Sequence, residues 1–362
     1  MSAAPLRVAF DATHARINRT GIGRYAQQLL PALAARDDVD VVGLLAPGTG
    51  ATGRAQHLLG VARRDFAYYP AGLAHRARAA RADVIHCPTS SPAHSAKPPL
   101  VMTVHDLLWL RMPQHFTPAV RAYHRMSVPA VRAAGRILAD SDATRADVIE
   151  LLGVPEERVV TAPLAADPRF APREADRDLL RARFGIERRY VLAVATREPR
   201  KNLNALLDAF ERLAARVDDC DLVLVGGKGW SSAELERTLE ATDDRVKVCG
   251  FVSEDELVAL YAGATCFAFP SLAEGFGLPV LEAMACGTPV VSSNTTSMPE
   301  VTGDAALLVD PTDVEALAAA LERLMTEPVL ANGLARRGLE RAATFSWERC
   351  AAETVAAYRQ LV

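Results

Sequence analysis

The chain has 362 residues, half of them hydrophobic and 23% charged, which is long for one core and suits two domains. It is too apolar for disorder, and no apolar stretch approaches the ~20 residues of a membrane span. The net charge of −3 hides an asymmetry: residues 1–170 carry 20 Lys and Arg against 14 Asp and Glu, the remainder 21 against 30. Neither half has the basic excess of a nucleic-acid binder, but the basic half suits an anionic acceptor or a membrane surface. The N-terminal MSAAPLRVAF has no basic or long apolar stretch, so no secretory leader is expected. Cysteines 87, 220, 249, 266, 286 and 350 form no CxxC pair and are expected as buried thiols of a cytoplasmic protein.

Short apolar runs alternate with helical patterns, the signature of parallel α/β layers. In chain order the expected strands are 7–11, 39–46, 84–86, 100–104, 136–139 and 158–162, then 190–196, 221–226, 246–249, 265–269, 289–292 and 305–309. Expected helices in the first half are 23–35, 117–134 and 143–152. In the second they are 202–216, 233–241, 254–263, 279–285 and 314–325, with a last helix in FSWERCAAETVAAYRQLV. The pattern breaks between Pro163 and Tyr190, a stretch rich in proline and charge that reads as a linker and a short helix. Two doubly wound α/β domains follow, each binding ligands at the carboxyl ends of its strands.

The most informative segment is PSLAEGFGLPVLEAMACGTPVVSSNTT, residues 270–296. A buried strand ends at Pro270, a loop with Gly275 and Gly277 follows, and a helix begins with Pro279 in its first turn. The amides of Gly277 and Leu278 open a helix N-terminus, an anion site. Glu274 and Glu282 flank that site, and a carboxylate beside a phosphate is repulsive unless it binds something else, such as sugar hydroxyls.

This segment resembles the glycosyltransferase family 4 signature E-x7-E, here EGFGLPVLE, and the match continues through EAMACGTPVV. The resemblance covers nearly the whole chain. It implies a GT-B fold of two Rossmann-like domains facing across a cleft. Residues 1–168 would form the acceptor domain, 169–346 the nucleotide-sugar domain, and a helix at 347–362 would cross back to the first. It gives Glu274 the donor sugar's hydroxyls, Glu282 the nucleotide ribose, and the amides of Phe276, Gly277 and Leu278 the distal phosphate. Base contacts would come from backbone near Gly250, Phe251 and Val252.

TREPRKN, residues 196–202, clusters Arg197, Arg200 and Lys201 where a strand enters a helix, a diphosphate-binding pattern. The family usually has an Arg five residues before the Lys. Here Thr196 stands in that place, as in a subgroup with G-T-x-E-P-R-K-N found among sugar transferases of polysaccharide assembly. Lys201 fits the Lys, and Arg200 and Arg197 are further donor-site candidates. Gly21–Ala26 fits G-x-G-x-x-A, but about nine residues separate it from the strand, which argues against a dinucleotide fingerprint. In the resembled family this loop closes over the donor phosphates, a role for Gly21 and Gly23. His105 and Asp106 end a strand; the resemblance sets His105 beside the transferred sugar, with Asp106 orienting it or binding acceptor. His86 and Ser141, also at strand ends, are acceptor-side candidates or core and capping residues.

No zinc pattern, P-loop or G-x-S-x-G elbow is present, and Asp219–Asp221 reads as a turn rather than a metal D-x-D motif. Arg121, Arg125 and Arg132 fall at helical spacing in 117–134, with a kink expected at Pro129. That basic face suits an anionic membrane or acceptor, or is a solvated surface. The expected activity is retaining, metal-independent, cofactor-free transfer from a nucleotide-diphosphate sugar, GDP-mannose or a UDP-sugar, to a hydroxyl acceptor. The alternatives are a sugar-nucleotide epimerase of the same fold and a non-catalytic nucleotide-sugar-binding protein.

Overall fold

The computed structural model describes residues 4–17, 21–47, 54–230, 233–242 and 244–362. The chain divides into two units, one of residues 1–164 with 346–362, the other of residues 165–345. Each is built on a six-stranded sheet among the described residues.

The first sheet holds β1 (Leu6–Asp11), β2 (Val39–Leu44), β3 (Val84–Cys87), β4 (Leu100–Val104), β5 (Arg136–Ala139) and β6 (Val159–Thr161) in the order β2-β1-β3-β4-β5-β6. The second holds β7 (Arg189–Val194), β8 (Cys220–Val225), β9 (Val246–Gly250), β10 (Cys266–Phe269), β11 (Val290–Ser293) and β12 (Ala306–Val309) in the order β12-β11-β10-β7-β8-β9. All pairings are parallel. Parallel strands covered on both faces read as unbroken apolar runs, so every expected strand lies on an observed one. β3, β4, β8, β10 and β11 are buried at every residue.

Sequence chemistry sets several helix ends. Ser253 and Glu256 form a capping box that starts the helix Glu254–Gly263. Ser141 caps Asp142–Leu152, which ends at Gly153 in the left-handed region. The expected helix 117–134 is instead two pieces, Pro118–Arg125 and Val128–Ala133. Pro129 lacks an N–H and disfavours helix before it, so it sits in the first turn of the second piece rather than kinking one helix. The three arginines therefore do not share one face, and Arg132 Nε donates to Leu152 O at 2.8 Å.

The last helix, Trp347–Arg359, belongs to the first unit. Its Tyr358 hydroxyl lies 2.6 Å from His86 Nδ1, and a Cβ at Gly135 would sit 2.9 Å from Leu361. The six cysteines are free thiols, five of them buried.

Candidate active site

In the second sheet the chain runs outward from β7 to β8 on one side and from β10 to β11 on the other. The loops after β7 and β10 diverge at this switch point and leave a crevice at the strands' carboxyl ends. These two loops carry the TREPRKN and E-x7-E motifs. They are stitched together by Leu272 N, which donates to Arg200 O at 2.8 Å, with Ser271 Oγ 3.1 Å from the same oxygen.

The stitching brings Lys201 Nζ to 2.6 Å from Glu274 Oε1 and Arg200 Nη1 to 2.8 Å from Glu274 Oε2. Ser271 Oγ donates to Glu274 Oε1 at 2.5 Å, and Arg200 Nε donates to Glu198 Oε2 at 3.0 Å. Lys201 Nζ also lies 5.0 Å from the Phe269 ring centroid, within cation–π range. Glu274 is 9% exposed. Burial alone would raise its pKa, but the charges of Arg200 and Lys201 and the bonds from Lys201 and Ser271 bring it down to about 2. Burial lowers the Lys201 pKa and raises that of Glu198.

The expected cation cluster is thus a quartet of two partly buried cations and two buried carboxylates, with no formal net charge. Arg197 is not in it; its Nη1 donates to Glu236 Oε2 at 3.1 Å. The Thr196–Arg197 backbone packs under the loop after β8: Arg197 N donates to Gly227 O at 3.0 Å. Gly226 has φ 142°, and a Cβ there would lie 2.0 Å from Ala195 O, so only glycine permits this approach.

The signature loop is held from the following strand's side. Thr296 Oγ1 accepts from Glu274 N at 2.9 Å, and Ser297 Oγ lies 3.0 and 2.9 Å from Glu274 O and Phe276 O, between which its one hydroxyl hydrogen is shared. Gly277, at φ 106°, starts the helix Leu278–Ala285, and a Cβ there would lie 2.3 Å from Met298 Cε. Gly275, Phe276 and Leu278 complete the turn, with the Phe276 ring edge-on to Phe345. Glu282, 2% exposed, sits on this helix and accepts from Tyr261 Oη at 3.1 Å. After β9, Phe251 is 67% exposed while Val252 is buried. Ser271, Thr296, Ser297 and Tyr261 escaped the sequence reading; of these only Thr296 lies in a visible polar run, the SSNTT at the end of β11.

In the first unit, Gly21 is exposed and Gly23 buried at the start of the helix Gly21–Ala34. Tyr25 of that helix packs its ring 5.0 Å from the His105 ring. His105 follows β4; its Nδ1 lies 2.7 Å from Asp140 Oδ2 and its Nε2 2.9 Å from Pro88 O. Burial opposes its charged form, but the Asp140 carboxylate outweighs burial, so its pKa is raised. Asp106 does not contact its ring: Asp106 Oδ1 accepts from Leu108 N at 3.2 Å, at the start of the short helix Leu108–Arg111. His86 and Ser141 take the core and capping roles. His86 is wholly buried between Tyr358 and Thr103, and burial takes its pKa down to about 3. Ser141, also wholly buried, caps its helix through Thr144 N at 3.0 Å.

No group of three His, Cys, Asp or Glu side chains suited to a metal ion occurs among the described residues. Among those same residues no helix is long and apolar enough to cross a membrane.

Two doubly wound units, the second with paired acids and cations at its switch point, define the GT-B class of glycosyltransferases. The Glycosyltransferase Family 4 model matches residues 19–170, and the Glycosyl transferases group 1 model matches residues 176–341. The O-antigen chain mannosyltransferase B of Escherichia coli is 32% identical over 98% of this chain and 100% of its own length. The MMP alpha-(1->4)-mannosyltransferase of Mycolicibacterium hassiacum is 35% identical over 73% of this chain and 66% of its own. The sucrose-phosphate synthase of Thermosynechococcus elongatus superposes with TM-score 0.74 at 23% identity, covering 98% of this chain and 99% of that one. The chain belongs to glycosyltransferase family 4 and is a glycosyltransferase with mannosyltransferase relatives.

Proposed function

We propose that this enzyme transfers a mannosyl residue from GDP-mannose to a hydroxyl of a mannose-bearing glycan acceptor, with retention and without a divalent metal. The carrying observation is the Arg200–Lys201–Glu274 cluster, joined to Glu282 through the signature helix. The mannosyltransferase relatives support the sugar and the acceptor class, and with it a cytoplasmic role in polysaccharide assembly.

In this reading the donor diphosphate lies over the helix N-terminus at Phe276, Gly277 and Leu278 and draws Lys201 and Arg200 into contact. These fixed donors stabilise the charge that develops on the leaving group. Glu274 turns part of its hydrogen bonding to the sugar hydroxyls, and Glu282 holds the ribose. The bond from the anomeric carbon to the diphosphate oxygen breaks, and its electron pair stays on the diphosphate. The acceptor oxygen bonds the anomeric carbon from the same face and gives its proton to the departing diphosphate. Thr196 borders the phosphates, and the backbone at Phe251 and Val252 meets the base. Arg121 and Arg125 offer the first unit a modest attraction to anionic membranes.

A thermal-shift screen with GDP, UDP, ADP, dTDP and GDP-mannose tests the donor, because a ligand that binds the native state raises its melting temperature. GDP and GDP-mannose stabilise the protein in this reading; stabilisation by another nucleotide alone overturns the choice of base.

A further inference from the structure

His105 has a hydrogen-bond acceptor at each ring nitrogen. The Pro88 carbonyl, 2.9 Å from Nε2, can only accept, so Nε2 carries a hydrogen. Asp140 Oδ2 lies 2.7 Å from Nδ1, too close for a bare ring lone pair to face a carboxylate, so a proton sits between them. That proton belongs to either an imidazolium–carboxylate or an imidazole–carboxylic acid pair. The ordinary affinities, about 6.5 for imidazole and about 3.9 for aspartate, favour the ring.

The surroundings point the same way. His14 and His86 are the other rings near His105. Burial takes them to about 4 and about 3, so both are neutral at pH 7 and add no positive charge. The remaining titratable neighbours are Asp106, which favours the cation, Tyr25, and the Cys350 thiol beside Asp140. Burial raises the affinities of the Tyr25 hydroxyl and the Cys350 thiol, so both stay neutral. Against this, Asp140 is 3% exposed with its Oδ1 unpartnered, and burial raises its pKa; the charge and hydrogen bond of His105 are what oppose that rise. Thr144 Oγ1 donates to the His105 carbonyl at 3.3 Å and helps fix the residue at the strand end.

We propose that Asp140 is a positioning residue that holds His105 as an imidazolium, so that Nε2 offers a bound sugar a hydrogen-bond donor and never a proton-accepting lone pair. His105 is then excluded as the base that takes the acceptor's proton. Its Nε2–H rests on Pro88 O in the free protein. The claim about the protonation state stands on the free protein; only its catalytic meaning rests on the transferase reading above.

The test is a long-range 1H–15N spectrum of the full 15N-labelled chain at pH 7.5, with the His105 signals identified by their loss in His105→Gln. Wild type shows both His105 nitrogens protonated. A Nδ1 signal in the unprotonated range overturns the proposal, and this reading needs no Asp140 variant to fold. In Asp140→Asn the amide can donate to Nδ1 of a neutral ring, so the same spectrum shows Nδ1 unprotonated. Removing a charge this close lowers the His105 titration by about 1–2 pH units. The alkaline limb of kcat/KM moves down with it; an unmoved limb overturns the positioning role. Absence of any nucleotide-sugar turnover in wild type sinks the functional reading and leaves the spectrum to decide the proton.

Discussion

Replacing Glu274 by Gln removes the carboxylate that neutralises Lys201 and Arg200 while keeping the side chain's shape. In the folded chain Glu274 titrates near 2, against an ordinary value of 4.5. That difference corresponds to about 3 kcal/mol of stability at pH 7. The folded pKa is the lower one, so the stabilisation is fully present above pH 4.5 and drains away as pH falls toward 2. At pH 3 about 1.4 kcal/mol of it remains, by the same linkage. Glutamine does not titrate, so the gap between wild type and Glu274→Gln narrows from about 3 kcal/mol at pH 7 to about half that at pH 3. The assay is urea unfolding at the two pH values, followed through Trp230, which lies in the second unit, with Trp109 and Trp347 replaced by Phe. A gap below about 1 kcal/mol at pH 7, the range of an exposed ion pair, would refute the reasoning. So would a gap that does not change with pH.

The other predictions address separate parts of the account. Glu282→Ala weakens nucleotide binding by roughly 1.5–3 kcal/mol in calorimetry, whereas Glu274→Gln chiefly lowers turnover; equal, unaltered binding and turnover in both removes the role assignment. Gly277→Ala places a Cβ against Met298 in a left-handed backbone position and destabilises the second unit by about 1–3 kcal/mol; a neutral melt shows that the turn does not need glycine. Arg121 and Arg125 contribute on the order of 1 kcal/mol each to anionic vesicles, so wild type co-sediments with anionic but not neutral liposomes. An Arg121/Arg125→Ala variant that pellets equally well contradicts this.

Much of this molecule was legible because its central strands are buried on both faces. Apolar runs such as LVLV in β8 and CFAF in β10 have one reading, and twelve of them give two doubly wound sheets. The E-x7-E and TREPRKN motifs were legible for a related reason: each lies in a loop directly after such a strand. What stayed hidden depends on distance along the chain. Lys201 and Glu274 are 73 residues apart, and nothing local says that each neutralises the other. Asp140 is 35 residues from His105, so adjacent Asp106 drew attention that the fold gives to Asp140. The helices Arg54–Arg63, Arg64–Gly72 and Leu73–Ala79 were missed because glycine, proline and aromatic residues interrupt the period there, and the middle piece is a wide-turned π-helix. The break at Ser127 was placed two residues late, at the proline itself, although the constraint falls on the residues before it.

The most direct test of the central claim is GDP release from GDP-mannose in the presence of EDTA, with and without a mannoside acceptor, for wild type and Lys201→Ala. The account predicts acceptor-dependent release by wild type, unaffected by EDTA. It also predicts a loss of roughly 10- to 150-fold in Lys201→Ala, the worth of one charged hydrogen bond to the leaving group. Release that requires added Mg²⁺ or Mn²⁺, or that is equal in the two proteins, would contradict it.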